Sequence, residues 1–171
     1  MTAIQDQIRG NHCFGCSPDN PHGHHLVVQR RGEEVHAVHR FSERHMGAPG
    51  IAHGGAVATV LDDLFGFLLY LTGTPAVTRQ LEVRYDAPVI LGTAYELAAR
   101  VVRDDGRKLF VEAEMAEAGG TVVATASALF LFAAESPEDL IATLSQAAQD
   151  QNNASSVHHL SHKVLAKWRP G

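Results

Sequence analysis

His53-Gly54-Gly55-Ala56-Val57-Ala58-Thr59-Val60-Leu61-Asp62-Asp63-Leu64-Phe65-Gly66-Phe67-Leu68-Leu69-Tyr70-Leu71 is the stretch on which the fold turns. From Ala56 to Leu71 it is too long and too continuously apolar for a strand, so the pattern predicts a buried helix over 56–71. Gly73 and Pro75 end it. At 100° per residue, Val57, Val60, Leu61, Leu64, Leu68 and Leu71 share one broad face. Ala58, Thr59, Asp62, Asp63, Gly66 and Tyr70 fall opposite. Two acids on so apolar a helix need a reason, because burying an unpartnered carboxylate is costly. A solvated face accounts for the acids but not for Gly66, since an exposed helix position gains about 1 kcal/mol from Ala over Gly. Small residues beside an acid leave room for another molecule to approach.

Outward from this helix the chain reads as strands. Upstream, Leu26–Arg31 and Glu34–Phe41 form a pair around Gly32-Glu33. Downstream, Val77, Leu81, Val83 and Tyr85 alternate with Thr78, Gln80, Glu82 and Arg84, a period of two. Tyr95, Leu97, Ala99 and Val101 run to a turn at Asp105-Gly106, and Leu109, Val111, Ala113 and Met115 run back to Gly119-Gly120. The segment 122–132 is apolar on both faces and suits a central strand. Short Gly-containing turns imply antiparallel hairpins. One long buried helix with an antiparallel meander is an α+β layout, a sheet with a single helix on one face. The organisation predicted is an irregular segment over 1–25, a domain over 26–132, and a C-terminal extension over 133–171. In the extension, Ser136-Pro137-Glu138-Asp139 starts a capped helix running to about Asp150, a polar linker follows, and Val157, Leu160, Val164 and Trp168 stripe the tail.

The bulk numbers agree with one globular domain. The 171 residues are 45% apolar and 19% charged, and 14 basic residues against 19 acidic give a net charge of −5. That balance argues against broad nucleic-acid or anionic-membrane binding. The apolar run 56–71 carries two acids and is short for a membrane span, and no signal peptide is expected. Cys13 and Cys16 are the only cysteines. Their close spacing makes a structural disulfide strained, so a reducing, cytoplasmic compartment is expected. With His12, His22, His24 and His25 nearby they suggest a zinc site, but the second ligand pair of a knuckle is missing, and no metal is expected.

At the helix start, Gly54 and Gly55 sit where the first backbone N–H groups have no intrahelical partner. Such donors, at the positive helix end, can hold a developing oxyanion. Gly54 and Asp62 are eight residues apart, roughly 12 Å along a helix at 1.5 Å per residue. One small carbonyl cannot touch both. If both act on one reaction centre, the acid comes from a second copy of the helix, as two antiparallel helices about a twofold axis would allow.

The run Pro49-Gly50-Ile51-Ala52-His53-Gly54-Gly55 through Asp62 closely resembles the helix of PaaI-like hotdog thioesterases, with His-Gly-Gly and an acid nine residues after the His. The resemblance extends from Cys13 to Phe132. It includes Cys13-Phe14-Gly15-Cys16-Ser17-Pro18-Asp19-Asn20-Pro21, the strand Leu81-Glu82-Val83-Arg84-Tyr85, and Pro88-Val89-Ile90-Leu91-Gly92. It implies a hotdog fold, a long central helix wrapped by an antiparallel sheet, assembled as a homodimer or homotetramer. It implies hydrolysis of an acyl-CoA thioester at a subunit interface, with CoA as part of the substrate and no cofactor. By the same resemblance, the backbone N–H of Gly54 or Gly55 polarises the carbonyl, and Asp62 acts as general base or nucleophile. Thr78 matches a hydroxyl that orients water, although plain strand alternation turns it away from the helix. His53 shapes the loop, and Asp63 is structural. Arg79, Arg84, Arg103, Arg107 and Lys108 are basic candidates for the coenzyme phosphates, none singled out. A hotdog hydratase or dehydratase and a non-catalytic acyl-CoA-binding protein are the alternatives.

Overall fold

The computed structural model describes residues 12–72 and 76–132; the helix and tail expected over 133–171 lie outside the described residues. Strands β1 (Val28–Arg31) and β2 (Glu34–Arg40) form the first hairpin. A single 3-10 turn at Glu43–His45 and a small ribbon, β3 (Met46–Ala48) with β4 (Ile51–Ala52), then lead into helix α1 (Gly54–Thr72). Four long strands follow: β5 (Ala76–Tyr85), β6 (Ala94–Asp104), β7 (Lys108–Glu117) and β8 (Val122–Phe132). Six of the eight strands make one antiparallel sheet in the order β1-β2-β6-β7-β8-β5, and α1 packs across β2, β5, β6, β7 and β8. This is the hotdog arrangement expected from the sequence.

The helix is long because its seat is apolar throughout. Val57, Val60, Leu61, Leu64, Phe65, Phe67 and Leu68 are buried. Each large side chain among them contributes about 1.5–3 kcal/mol by leaving water. Opposite them, Ala99, Ala113 and Ala126 are register partners on β6, β7 and β8, and all three are buried. A row of methyl groups lets a helix approach a sheet closely without leaving voids. The helix starts two residues earlier than the periodicity predicted. Gly54–Leu71 is therefore long and apolar enough, by composition, to cross a membrane. In this fold it is instead the core helix of the sheet.

Two strand expectations need correction. β8 is interior but not central, lying between β7 and the edge strand β5. On β5, the pairing with β8 slips between Thr78 and Gln80, a β-bulge at Arg79. Leu81, Val83 and Tyr85 pair with the inward residues Ala128, Ala126 and Ala124, and beyond the bulge Thr78 pairs with inward-facing Phe130. The extra residue reverses the strand's parity. Thr78 turns towards the helix and Val77, expected inside, is 48% exposed.

Candidate functional site

The helix start is capped by His53. Its carbonyl accepts the N–H of Ala56 at 2.9 Å and of Val57 at 3.2 Å, and its ring Nδ1 accepts the Gly55 N–H at 2.9 Å. Gly47 holds the loop against it, since a Cβ there would come within 2.7 Å of the His53 Cα. His53 thus ties the loop to the helix start. Its ring also distinguishes the two glycine N–H groups. The Gly55 N–H is taken, and the Gly54 N–H is the helix-start donor with no acceptor among the described residues. The next peptide unit is fixed as well: the Tyr85 hydroxyl donates to the Gly54 carbonyl at 2.7 Å. Strand alternation puts Tyr85 on the same face as Leu81 and Val83. Strand alternation gave its face correctly but gave no sign that the ring stays 47% exposed, with its hydroxyl on the helix start.

Two turns along, Asp62 is half-buried and accepts a hydrogen bond at Oδ1 from the Thr78 hydroxyl, at 3.1 Å. The bulge brings the two together, and the sequence had no turn residue or proline to announce it. Burial raises the Asp62 carboxyl above the usual carboxylate range, while the Thr78 bond pulls it the other way. A base with a raised pKa holds its proton more firmly once it has taken one. Within one chain the structure joins Asp62 with Thr78, and His53 with Gly54 and Gly55. Those two groups remain about two helical turns apart, roughly 12 Å.

Asp63, the neighbouring acid, has a separate environment. Its Oδ1 accepts from the Cys13 thiol at 3.2 Å, its Oδ2 is buried, and desolvation raises it to about 8. Of the basic candidates, Arg84 pairs with Asp86 at 3.0 Å and Arg103 with Asp105 at 3.1 Å, and Arg103 also covers the Phe110 ring. A surface concavity between Glu34, Glu82, Arg84, Arg100, Glu112 and Glu114 lies on the sheet face away from α1, and none of His53, Gly54, Gly55, Asp62 and Thr78 lines it.

A cluster missed by the sequence reading is His24, His39 and His45, drawn from the N-terminal loop, β2 and the 3-10 turn. His24 and His39 are 5% and 6% exposed, and the rings of His24 and His45 stack at 4.1 Å. Burial lowers both His24 and His39 to about 4, so both stay neutral when folded. In the unfolded chain they titrate near 6.5, where the unfolded state binds the extra protons. Their contribution is therefore complete above about pH 6.5 and lost as pH falls towards 4, on the order of 2–3 kcal/mol for each ring. The expected result is a melting temperature that drops across that window in the wild type and drops less in His24→Phe/His39→Phe. Comparing the two cancels the opposing pull of Asp63, and equal slopes would count against the burial argument.

Comparison with known proteins agrees with this fold. Residues 49–132 match the family model of the thioesterase superfamily. The chain is 34% identical over 87 residues to acyl-coenzyme A thioesterase THEM4 of Xenopus laevis, a match covering 50% of this chain and 39% of that protein. The chain thus spans about two-fifths of that relative's length. A solved structure of a thioesterase superfamily protein superposes with a TM-score of 0.67 at 27% identity, covering 70% of this chain and 60% of the other. The PaaI protein of E. coli, from the phenylacetic acid degradation operon, shares the fold at a TM-score of 0.58 and 15% identity, covering 62% and 82%.

Proposed function

We propose that this chain, a PaaI-like hotdog member of the thioesterase superfamily, hydrolyses acyl-CoA thioesters at a site completed by a second copy of itself. The observation that carries the reading is the division of labour along α1. The Asp62–Thr78 pair and the open Gly54 N–H are each built, yet they stand too far apart to serve one carbonyl within a chain. A twofold-related copy running antiparallel brings the Gly54 of one helix to the Asp62 of the other. Two features support such a homo-oligomer. β5 is a ten-residue edge strand whose residues are mostly exposed, an arrangement that proteins usually cover. The helix face bearing Thr59, Asp62 and Gly66 is also only half-buried.

In this reading the Gly54 N–H donates to the thioester oxygen as charge develops there, and the positive helix end adds to its effect. Asp62 either removes a proton from an attacking water or attacks the carbonyl itself, and Thr78 fixes Oδ1 in both routes. In the first route the tetrahedral intermediate collapses with the proton on Asp62 passing to the departing CoA sulfur. In the second, CoA leaves to give a mixed anhydride on Asp62 that a water then hydrolyses, its proton balancing the thiol. Each route consumes one water for each acid released. CoA enters as part of the substrate, and the proposal invokes no cofactor. The net charge of −5 supports a small-molecule substrate over nucleic acid, and two cysteines kept as thiols support a reducing, cytoplasmic setting.

The test is a panel of acyl-CoAs of increasing chain length and an aryl-acetyl-CoA, read as free thiol released. Turnover well above the spontaneous rate on at least one of them is expected. Saturable binding with no thiol released would mean a binding protein, and loss of enoyl absorbance without thiol from an enoyl-CoA added to the panel would mean a hydratase.

A further inference from the structure

The segment Cys13-Phe14-Gly15-Cys16 takes no part in the proposed hydrolysis. In the structure it packs against α1 at Asp63. The Cys13 and Cys16 sulfurs and an Asp63 carboxylate oxygen all lie within 4.8 Å of one another. Cys13 donates to Asp63 Oδ1 at 3.2 Å, and Cys16 is 8% exposed. Asp63 Oδ2 is buried with no hydrogen-bond partner among the described residues, a costly arrangement for a carboxylate. Gly15, between the two cysteines, makes the approach possible, since a Cβ there would overlap the Asp63 carboxyl group. The loop is therefore shaped around this acid.

We propose that Cys13, Cys16 and Asp63 bind one thiophilic divalent cation, zinc in the first instance. Around a tetrahedral zinc at about 2.3 Å from sulfur and 2.0 Å from oxygen, the donor atoms lie roughly 3.5–3.8 Å apart. The three donors need only close by a fraction of that spacing. Two thiolates select zinc over magnesium or calcium, which prefer oxygen alone. A cation of charge +2 offsets most of the negative charge that two thiolates and a carboxylate bring into a half-buried site. On binding, the ion displaces the protons these groups hold, and water takes the fourth position. The sequence pointed to the adjacent histidines as partners for this cysteine pair. The missing partner is instead an acid fifty residues away on the central helix.

The histidine cluster is the other candidate for a metal, and the geometry disfavours it. His45 Nδ1 accepts the Ser42 backbone N–H at 3.1 Å, so its Nε2 carries the ring proton and offers no lone pair to an ion. The cysteine site also has a structural consequence. An ion there pins the N-terminal loop to α1 one residue from Asp62. The proposal does not depend on thioesterase activity.

The full chain, reduced and stripped with a chelator, should take up about one zinc per chain. Its cobalt-substituted form should show a near-ultraviolet thiolate-to-cobalt charge-transfer band. Cys13→Ser and Cys16→Ser should each weaken that band and lower zinc affinity by at least about tenfold, the lower end of what disturbing a metal site costs. Asp63→Asn and Gly15→Ala should lower affinity similarly while the thiolate band persists at saturating cobalt. The wild-type spectrum needs no variant to fold. No charge-transfer band, or a band unchanged in both serine variants, overturns the proposal, as does zinc uptake abolished only by His24→Phe/His39→Phe. Acyl-CoA hydrolysis is a separate readout, so failure of this site and failure of the thioesterase reading are distinguishable.

Discussion

Asp62→Asn is expected to lower turnover by about a hundredfold or more, the scale of a lost general base. The carboxylate lies on the half-buried face of α1 and accepts the Thr78 hydroxyl at Oδ1, and the amide cannot take a proton from water. Asp63→Asn is expected to change turnover far less, because Asp63 faces the Cys13–Cys16 loop. The opposite ranking would mean that the chemistry lies with the other acid. The pH profile offers a second check. In the proposed mechanism Asp62 acts as the carboxylate, so activity is expected above its raised pKa and should fall as pH drops through it. Thr78→Val removes the bond that favours the charged form and should move the acid limb of the profile to higher pH. An unmoved limb would mean that Thr78 acts elsewhere.

The fold was legible because its strongest signals are local. A sixteen-residue apolar run has no stable alternative to a buried helix, and alternating strands joined by Gly turns have few alternatives to a meander. Asp62 and the His53-Gly54-Gly55 start were legible for a related reason: an acid and paired glycines contradict the apolar pattern around them. Features set by long-range pairing were not. The bulge at Arg79 depends on how β5 meets β8, and its consequence is that Thr78 faces the helix and Val77 does not. His24, His39 and His45 lie far apart in sequence and meet only where the N-terminal loop, β2 and the 3-10 turn come together, so no local pattern announced them. Asp63 illustrates the same limit. On a helical wheel it shares a face with Asp62, but the loop that covers it comes from the far N-terminal side, and no helical period encodes that.

Replacing Gly54 by proline is expected to cost about a hundredfold to a thousandfold in kcat, the scale of a missing oxyanion donor. Gly54 is the first residue of α1, where proline is well tolerated because that N–H has no intrahelical partner. The substitution therefore deletes one donor with little cost to the helix. Gly54→Ala is the control. Its Cβ meets the Tyr85 hydroxyl at 3.3 Å, a contact the flexible end of that ring can relieve, and it keeps the N–H. Its turnover should stay near wild type. If alanine and proline are equally damaging, space is what matters at Gly54 and not the donor. Combining the two inactive chains then tests where the site is built. In a twofold dimer of Gly54→Pro with Asp62→Asn, one site keeps both groups and the other loses both. Random mixing should restore about a quarter of the wild-type sites, since half the dimers are mixed and half of their sites are intact. A site enclosed within one chain gives no restoration at all, because every chain in the mixture lacks one of the two groups.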